Sequence, residues 1–168
     1  MAVRIFIHGL DSSPAGKKGS YFKERFPDML IPHFVGSLDQ RMKLLGELLR
    51  DKNDIILVGS SLGGLMATLF AISSPSRCKK LILLAPAINL IQKEQLPEKP
   101  LIISTIIFHG RNDGVIPLDL VQSVATKIFA NLSFYVVQDD HMLYNTFFQL
   151  EWYKLLEYEG HETKQASK

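Results

Sequence analysis

The sequence predicts an α/β fold: a three-layer sandwich with a doubly wound, mostly parallel sheet of about six strands. Three observations point there. Short, continuous apolar runs recur at strand length, as expected of strands covered on both faces. Patterns of helical period lie between those runs, which is the signature of repeated β-α-β units. And one strand-to-helix junction, Gly59-Ser60-Ser61-Leu62-Gly63, carries the spacing G-x-S-x-G.

The apolar runs at 3–7, 55–58, 81–84, 105–108 and 134–137 are β-branched or aromatic and bounded by Gly, Pro, Asp or Ser. A weaker strand is expected at 29–35, where Pro32 confines it to an edge. The first clear helix spans 38–50, with Met42, Leu45, Leu48 and Leu49 on one face and Ser37 placed to cap it. A second follows the G-x-S-x-G junction over 62–73, free of proline until Pro75. A third runs over 118–129 behind Pro117, a favourable first-turn residue. The last helix, about 142–158, is rich in aromatics, and Phe147, Phe148, Trp152, Tyr153 and Tyr158 read as its buried face.

With 168 residues, 46% hydrophobic and 21% charged, the chain is expected to form one domain over 1–159 with a polar, frayed tail at 160–168. The net charge of +2 is spread along the sequence and gives no electrostatic case for nucleic acid or an anionic membrane. Cys78, the sole cysteine, excludes an intrachain disulfide, fits a reducing compartment and reads as a buried or half-buried bystander. The N-terminal segment lacks the features of a secretory signal, and the apolar stretch 81–91 is too short to span a bilayer. A cytoplasmic protein, monomeric or a small homo-oligomer, is the expectation.

The G-x-S-x-G spacing has a mechanical reading. A turn this tight strains its central residue, and glycines two positions either side remove the side chains that would collide. Ser61 is left at the tip beside a helix N-terminus, where N–H groups and the positive dipole end converge. Ser61 is therefore the candidate nucleophile. A serine needs a base, and the base needs an acceptor that holds its tautomer. In open parallel sheets working groups collect at the carboxyl ends of strands. His141 follows the strand at 134–137 and precedes a helix; His8 and His109 also lie at strand ends, so position alone does not exclude them. His33 sits beside a proline at the edge, and His161 is in the tail. Asp113 occupies the loop after the strand at 105–108 and is the candidate acid; Asp139 and Asp140 are its rivals, but both lie so close to His141 in sequence that neither easily swings round to face its imidazole. An oxyanion hole needs two backbone N–H donors. Leu62 supplies one, and the loop 8–14 the other, at Leu10, where Gly9 allows close approach and the His8 side chain braces the loop.

The order Ser61, Asp113, His141, with His8-Gly9 upstream, resembles the α/β-hydrolase fold, whose triads run Ser…Asp…His. The segments Ile7-His8-Gly9-Leu10-Asp11-Ser12-Ser13-Pro14, Gly59-Ser60-Ser61-Leu62-Gly63-Gly64 and His109-Gly110-Arg111-Asn112-Asp113-Gly114-Val115-Ile116-Pro117 resemble the small YqiA-like bacterial esterases. The likeness covers roughly residues 3 to 155. It implies a minimal version of the fold, beginning at what is the third strand of larger members. Only residues 86–100 stand where those members insert a helical lid, so this minimal cap implies a shallow, open pocket.

Gly9 and Gly16-Lys17 do not have P-loop spacing, and Lys18 stands where the P-loop needs Ser or Thr; Lys17 and Lys18 read as a solvated basic step in a loop. No His and carboxylate set has metal-ligand spacing, so neither metal nor cofactor is expected. Ile88, Leu90, Ile91 and Leu96 either line an acyl pocket or pack on the sheet, and Met142 has the same ambiguity. The expected function is a serine esterase or thioesterase acting on a small-molecule substrate with a short acyl group. Acyl transfer, carbon–carbon bond hydrolysis or perhydrolysis on the same triad, and a non-catalytic binding protein, are the alternatives.

Overall fold

In the computed structural model, which describes residues 1–158, the chain folds as β1 (Val3–Ile7), α1 (Lys17–Arg25), α2 (Leu38–Leu48), β2 (Ile55–Ser60), α3 (Leu62–Ser73), β3 (Cys78–Leu84), β4 (Ser104–Gly110), α4 (Leu118–Ile128), β5 (Leu132–Val137), α5 (Tyr144–Phe147) and α6 (Trp152–Leu155). The five strands form one sheet in the order β1-β2-β3-β4-β5, with every pair parallel. The tail at 160–168, His161 included, lies outside the described residues.

The expected edge strand at 29–35 is reduced to one bridge, Leu30 against Ile5, held by Phe6 N–H to Leu30 O (2.9 Å) and Leu30 N–H to Arg4 O (2.9 Å). Pro32 has no N–H to extend that ladder, and Phe34 gives its N–H to the His8 ring instead. The bridge nonetheless sets the topology. The chain leaves β1 towards Leu30 on one side and leaves β2 towards β3 on the other. The carboxyl ends of β1 and β2 therefore flank a switch point, where open α/β sheets form their ligand crevice.

Side chains alternate between two cores. Ile5, Ile7, Leu57, Leu81 and Ile107 face Leu45 of α2, Leu65, Met66 and Phe70 of α3, and Val121 and Ile128 of α4. Phe6, Val58, Ile82 and Phe108 face Phe22 of α1 and, near the C-terminus, Phe147 and Trp152. Helices thus cover both faces. The Ser37 cap of α2 is present as a full capping box with Gln40.

Two further differences from the sequence reading matter. Residues 17–25 are helical rather than loop: Lys17 opens α1, and Lys18, far from being solvated, is 8% exposed. The helix has no side-chain cap, and its stability comes from burying Phe22 among Phe6, Phe147 and Trp152. The single helix expected over 142–158 is instead two short ones. Between them the chain turns so that the Trp152 indole N–H reaches Phe147 O at 2.8 Å, and Phe148, expected in the core, is exposed. In the segment 86–100, Ile88 and Ile91 pack into the α3–α4 side of the core, with Leu96 partly buried there and Leu90 exposed. None of the four lines the cavity at Ser61. Among the described residues no helix is long and apolar enough to cross a membrane.

Candidate active site

Ser61 stands between β2 and α3 with φ 54° and ψ −114°, a left-handed conformation that L side chains adopt at a cost of about 1–3 kcal/mol. The tertiary structure holds it there: Ser61 N–H donates to Leu84 O at 2.9 Å, and Ser61 O accepts Gly64 N–H (2.9 Å) and Ala87 N–H (3.0 Å). The glycines at either side are steric necessities. A Cβ on Gly63 would lie 1.9 Å from Ile7 O, and one on Gly59 would lie 2.4 Å from Gly63 O. The turn therefore presses the start of α3 directly onto the end of β1. At Gly9 the constraint is milder, since a Cβ there would stand 3.4 Å from Ser61 Cβ, an ordinary contact.

His141 arrives from the loop after β5, with its ring 17% exposed. Its Nε2 is 3.1 Å from Ser61 Oγ, and its Nδ1 is 2.8 Å from Asp113 Oδ2. A carboxylate only accepts, so Nδ1 carries the proton and Nε2 presents its lone pair to the serine hydroxyl. Asp113 comes from the loop after β4, and its other oxygen accepts both Val115 N–H and Ile116 N–H at 2.8 Å. Burial pushes that carboxyl up. The hydrogen bonds from Ile116, His141 and Val115 outweigh it and hold the group below the usual carboxylate range.

Asp139 and Asp140 point elsewhere. Asp139 accepts Asp140 N–H and Thr146 N–H, and Asp140 accepts Met142 N–H, so both shape the turn that delivers His141. That turn sits tight against the acid loop because Gly110 lets it: a Cβ there would be 2.5 Å from the carbonyls of Asp139 and Asp140. Asn112 N–H completes the contact by donating to Asp139 O at 3.1 Å.

The Leu62 N–H lies at the first position of α3, where backbone N–H groups have no partner inside the helix. Leu10, 59% exposed, lies across the crevice in the loop after β1. That loop is pinned by the buried His8 ring, which donates from Nδ1 to Gly9 O (2.8 Å) and accepts Phe34 N–H at Nε2 (3.0 Å). Burial holds His8 below the ordinary histidine value, so it stays neutral. His109, fully buried, donates from Nε2 to Ile116 O at 3.0 Å and braces the acid loop in the same way. Sequence reading missed two supports. Arg41 of α2 reaches Gly36 O and Leu10 O. Lys18 of α1 donates to Met142 O, next to His141, at 2.5 Å. The signal for Lys18 was its place in a helix that the paired glycines disguised.

A cavity of about 400 Å³ opens on Ser61 and His141, walled by Leu10, Lys18, Val115 and Tyr144. A larger cleft, about 1040 Å³, lies at the amino ends of the strands around Arg4, Asp28 and Lys79, far from this cluster. Among the described residues no group of three or more His, Cys, Asp and Glu is placed to hold a metal ion.

Residues 3–99 match UPF0227, an uncharacterised protein family. No curated protein matches the chain. Among solved structures, it is similar to a putative hydrolase of the alpha/beta superfamily from Xanthomonas campestris, at 23% identity and TM-score 0.69, covering 85% of this chain and 88% of that one. It is also similar to alpha/beta hydrolase domain-containing protein 10 from mouse (20% identity, TM-score 0.67, 84% and 82% covered). An esterase from Exiguobacterium antarcticum is similar at 16% identity and TM-score 0.68, with 86% and 87% covered. Likeness at these identities establishes the fold: this is a compact α/β-hydrolase architecture.

Proposed function

We propose that this chain, which belongs to the uncharacterised protein family UPF0227, is a serine hydrolase that cleaves carboxylic esters or thioesters of small or short-chain acyl groups. The observation that carries the reading is one unbroken line of hydrogen bonds, Ser61 Oγ to His141 Nε2 at 3.1 Å and His141 Nδ1 to Asp113 Oδ2 at 2.8 Å.

In this reading His141 takes the hydroxyl proton as Ser61 Oγ attacks the ester carbonyl. Negative charge develops on the carbonyl oxygen and is met by the N–H groups of Leu62 and Leu10. Asp113, held ionised by its backbone donors, stabilises the imidazolium. The tetrahedral intermediate collapses, the alcohol or thiol leaves with the proton from His141, and an acyl-Ser61 ester remains. Water, deprotonated by the same imidazole, then releases the acid. The small volume of the cavity and the absence of the segment 86–100 from its lining support short acyl groups. The lone cysteine supports a reducing compartment, the cytoplasm, as the place of action.

An uncharged fluorophosphonate probe tests the core of this proposal. It labels Ser61 stoichiometrically in the wild type and not in Ser61→Ala. A folded wild type that resists the probe defeats the reading.

A further inference from the structure

The cavity that holds Ser61 and His141 is also lined by two ammonium groups, on Lys17 and Lys18. Lys18 is the unusual one. It is 8% exposed, and of its three N–H donors one goes to Met142 O. Its other neighbours are ring faces: Nζ stands 4.9 Å from the Tyr144 centroid and 5.9 Å from that of Phe147. Cation–π attraction offsets part of a desolvation cost but leaves N–H donors without acceptors. Asp139 and Asp140 act on it by charge, while both oxygens of Asp139 and Oδ1 of Asp140 accept backbone N–H groups. Lys17, exposed, places its Nζ 4.5 Å from the centroid of the same Tyr144 ring. Asp11, also exposed, is the single carboxylate among the described residues that line the cavity.

We propose that Lys17 and Lys18, gathered at Tyr144, form an anion-binding subsite beside Ser61, and that the preferred substrate is an ester or thioester whose acyl chain ends in a carboxylate. The inference rests on the hydrolase reading above and adds to it the charge of the substrate. A buried ammonium with unfilled donors is completed by a carboxylate, through hydrogen bonds about twice as strong as those between neutral groups. The Tyr144 ring, close to both cations and part of the cavity wall, gives the substrate chain an apolar surface to lie on.

The test compares two p-nitrophenyl esters of adipic acid that differ only in charge: the half-ester, ionised at neutral pH, and its methyl ester. The wild type favours the charged ester in kcat/KM by about tenfold or more, mainly through KM. The ratio shrinks in about 0.5 M salt, which screens exposed Lys17 more than buried Lys18. Lys17→Gln and Lys18→Met each move the ratio towards one. Uncharged fluorophosphonate labelling of every variant reports whether the site is assembled, and if Lys18→Met fails to fold, Lys17→Gln carries the comparison. A wild type that labels at Ser61 yet treats the two esters alike overturns the subsite and leaves the hydrolase. A wild type that does not label overturns the hydrolase reading, and the subsite with it.

Discussion

Asp113→Asn is the most informative single change, because the backbone dictates which way the new amide must face. Oδ1 of Asp113 accepts two N–H groups, from Val115 and Ile116, each at 2.8 Å. Asparagine keeps an oxygen there only by turning its NH₂ towards His141. The opposite orientation sets NH₂ against two N–H donors and forfeits both bonds, about 1–3 kcal/mol in all. The favoured orientation therefore presents a donor to Nδ1, which gives up its proton to accept it. The imidazole then carries hydrogen on Nε2, and that atom is 3.1 Å from Ser61 Oγ with no lone pair to offer. The charge that stabilised the imidazolium is lost in the same step. Serine proteases altered in this way lose about 10⁴ in rate, equivalent to about 5.5 kcal/mol of barrier. The assay is kcat/KM on p-nitrophenyl acetate, with the rate of fluorophosphonate labelling read in parallel and far-UV circular dichroism confirming the fold. Activity within about tenfold of wild type would refute the tautomer argument and return the acid's role to Asp139 or Asp140.

Two further predictions concern stability. Ser61→Gly removes the side chain that makes φ 54° costly, so the variant is inactive yet more stable, by about 1–2 kcal/mol in urea unfolding; an unchanged or lowered midpoint contradicts the strain argument. Lys18 is pushed down to about 8 from 10.5 by burial, with Asp139 and Asp140 opposing the shift. Below that folded value both states hold the proton and the full penalty of the buried charge is present. Between about pH 8 and 10.5 the unfolded state holds more protons, so stability rises with pH, by up to about 3 kcal/mol. Unfolding free energies at the two ends of that window measure the rise, and Lys18→Met loses it; an equal rise in both proteins shows that other groups cause it.

What was legible in the sequence is what depends on neighbours along the chain. The helix after the serine was expected over 62–73 and is found at Leu62–Ser73, because the turn and its glycines are all local. The Ser37 cap and the start of α4 behind Pro117 have the same origin. Elements whose stability is tertiary were not legible. Helix α1 begins Lys17-Lys18-Gly19, with two cations at its positive end, a helix-weakening glycine and no side-chain cap, and is held by the aromatic cluster around Phe22. The break between α5 and α6 follows from a Trp152 contact across the turn. Three of the residues expected at the site, Ser61, Asp113 and His141, are brought into hydrogen-bonding contact, and each stands in the loop or turn after a strand, where the sequence placed the working groups.

Strand-end position could not separate the three histidines at strand ends; burial and the identity of their partners do. His8 spends its Nε2 lone pair on Phe34 N–H and its Nδ1 proton on Gly9 O, so neither ring atom is free to exchange a proton. His109 gives its Nε2 proton to Ile116 O and leaves Nδ1 buried without a hydrogen-bond partner among the described residues. Protonating that atom would bury an unpaired N–H, and burial accordingly holds the ring below the usual histidine value. Both rings are fully buried, and each fastens one loop, the first at Gly9 and the second at Ile116. His141 alone of the three keeps a solvent-exposed edge and aims its unprotonated nitrogen at a hydroxyl. The base of the proposed reaction needs that access, whereas a brace functions best without it. Two imidazoles locked in the neutral form thus fix the walls between which the third meets Ser61.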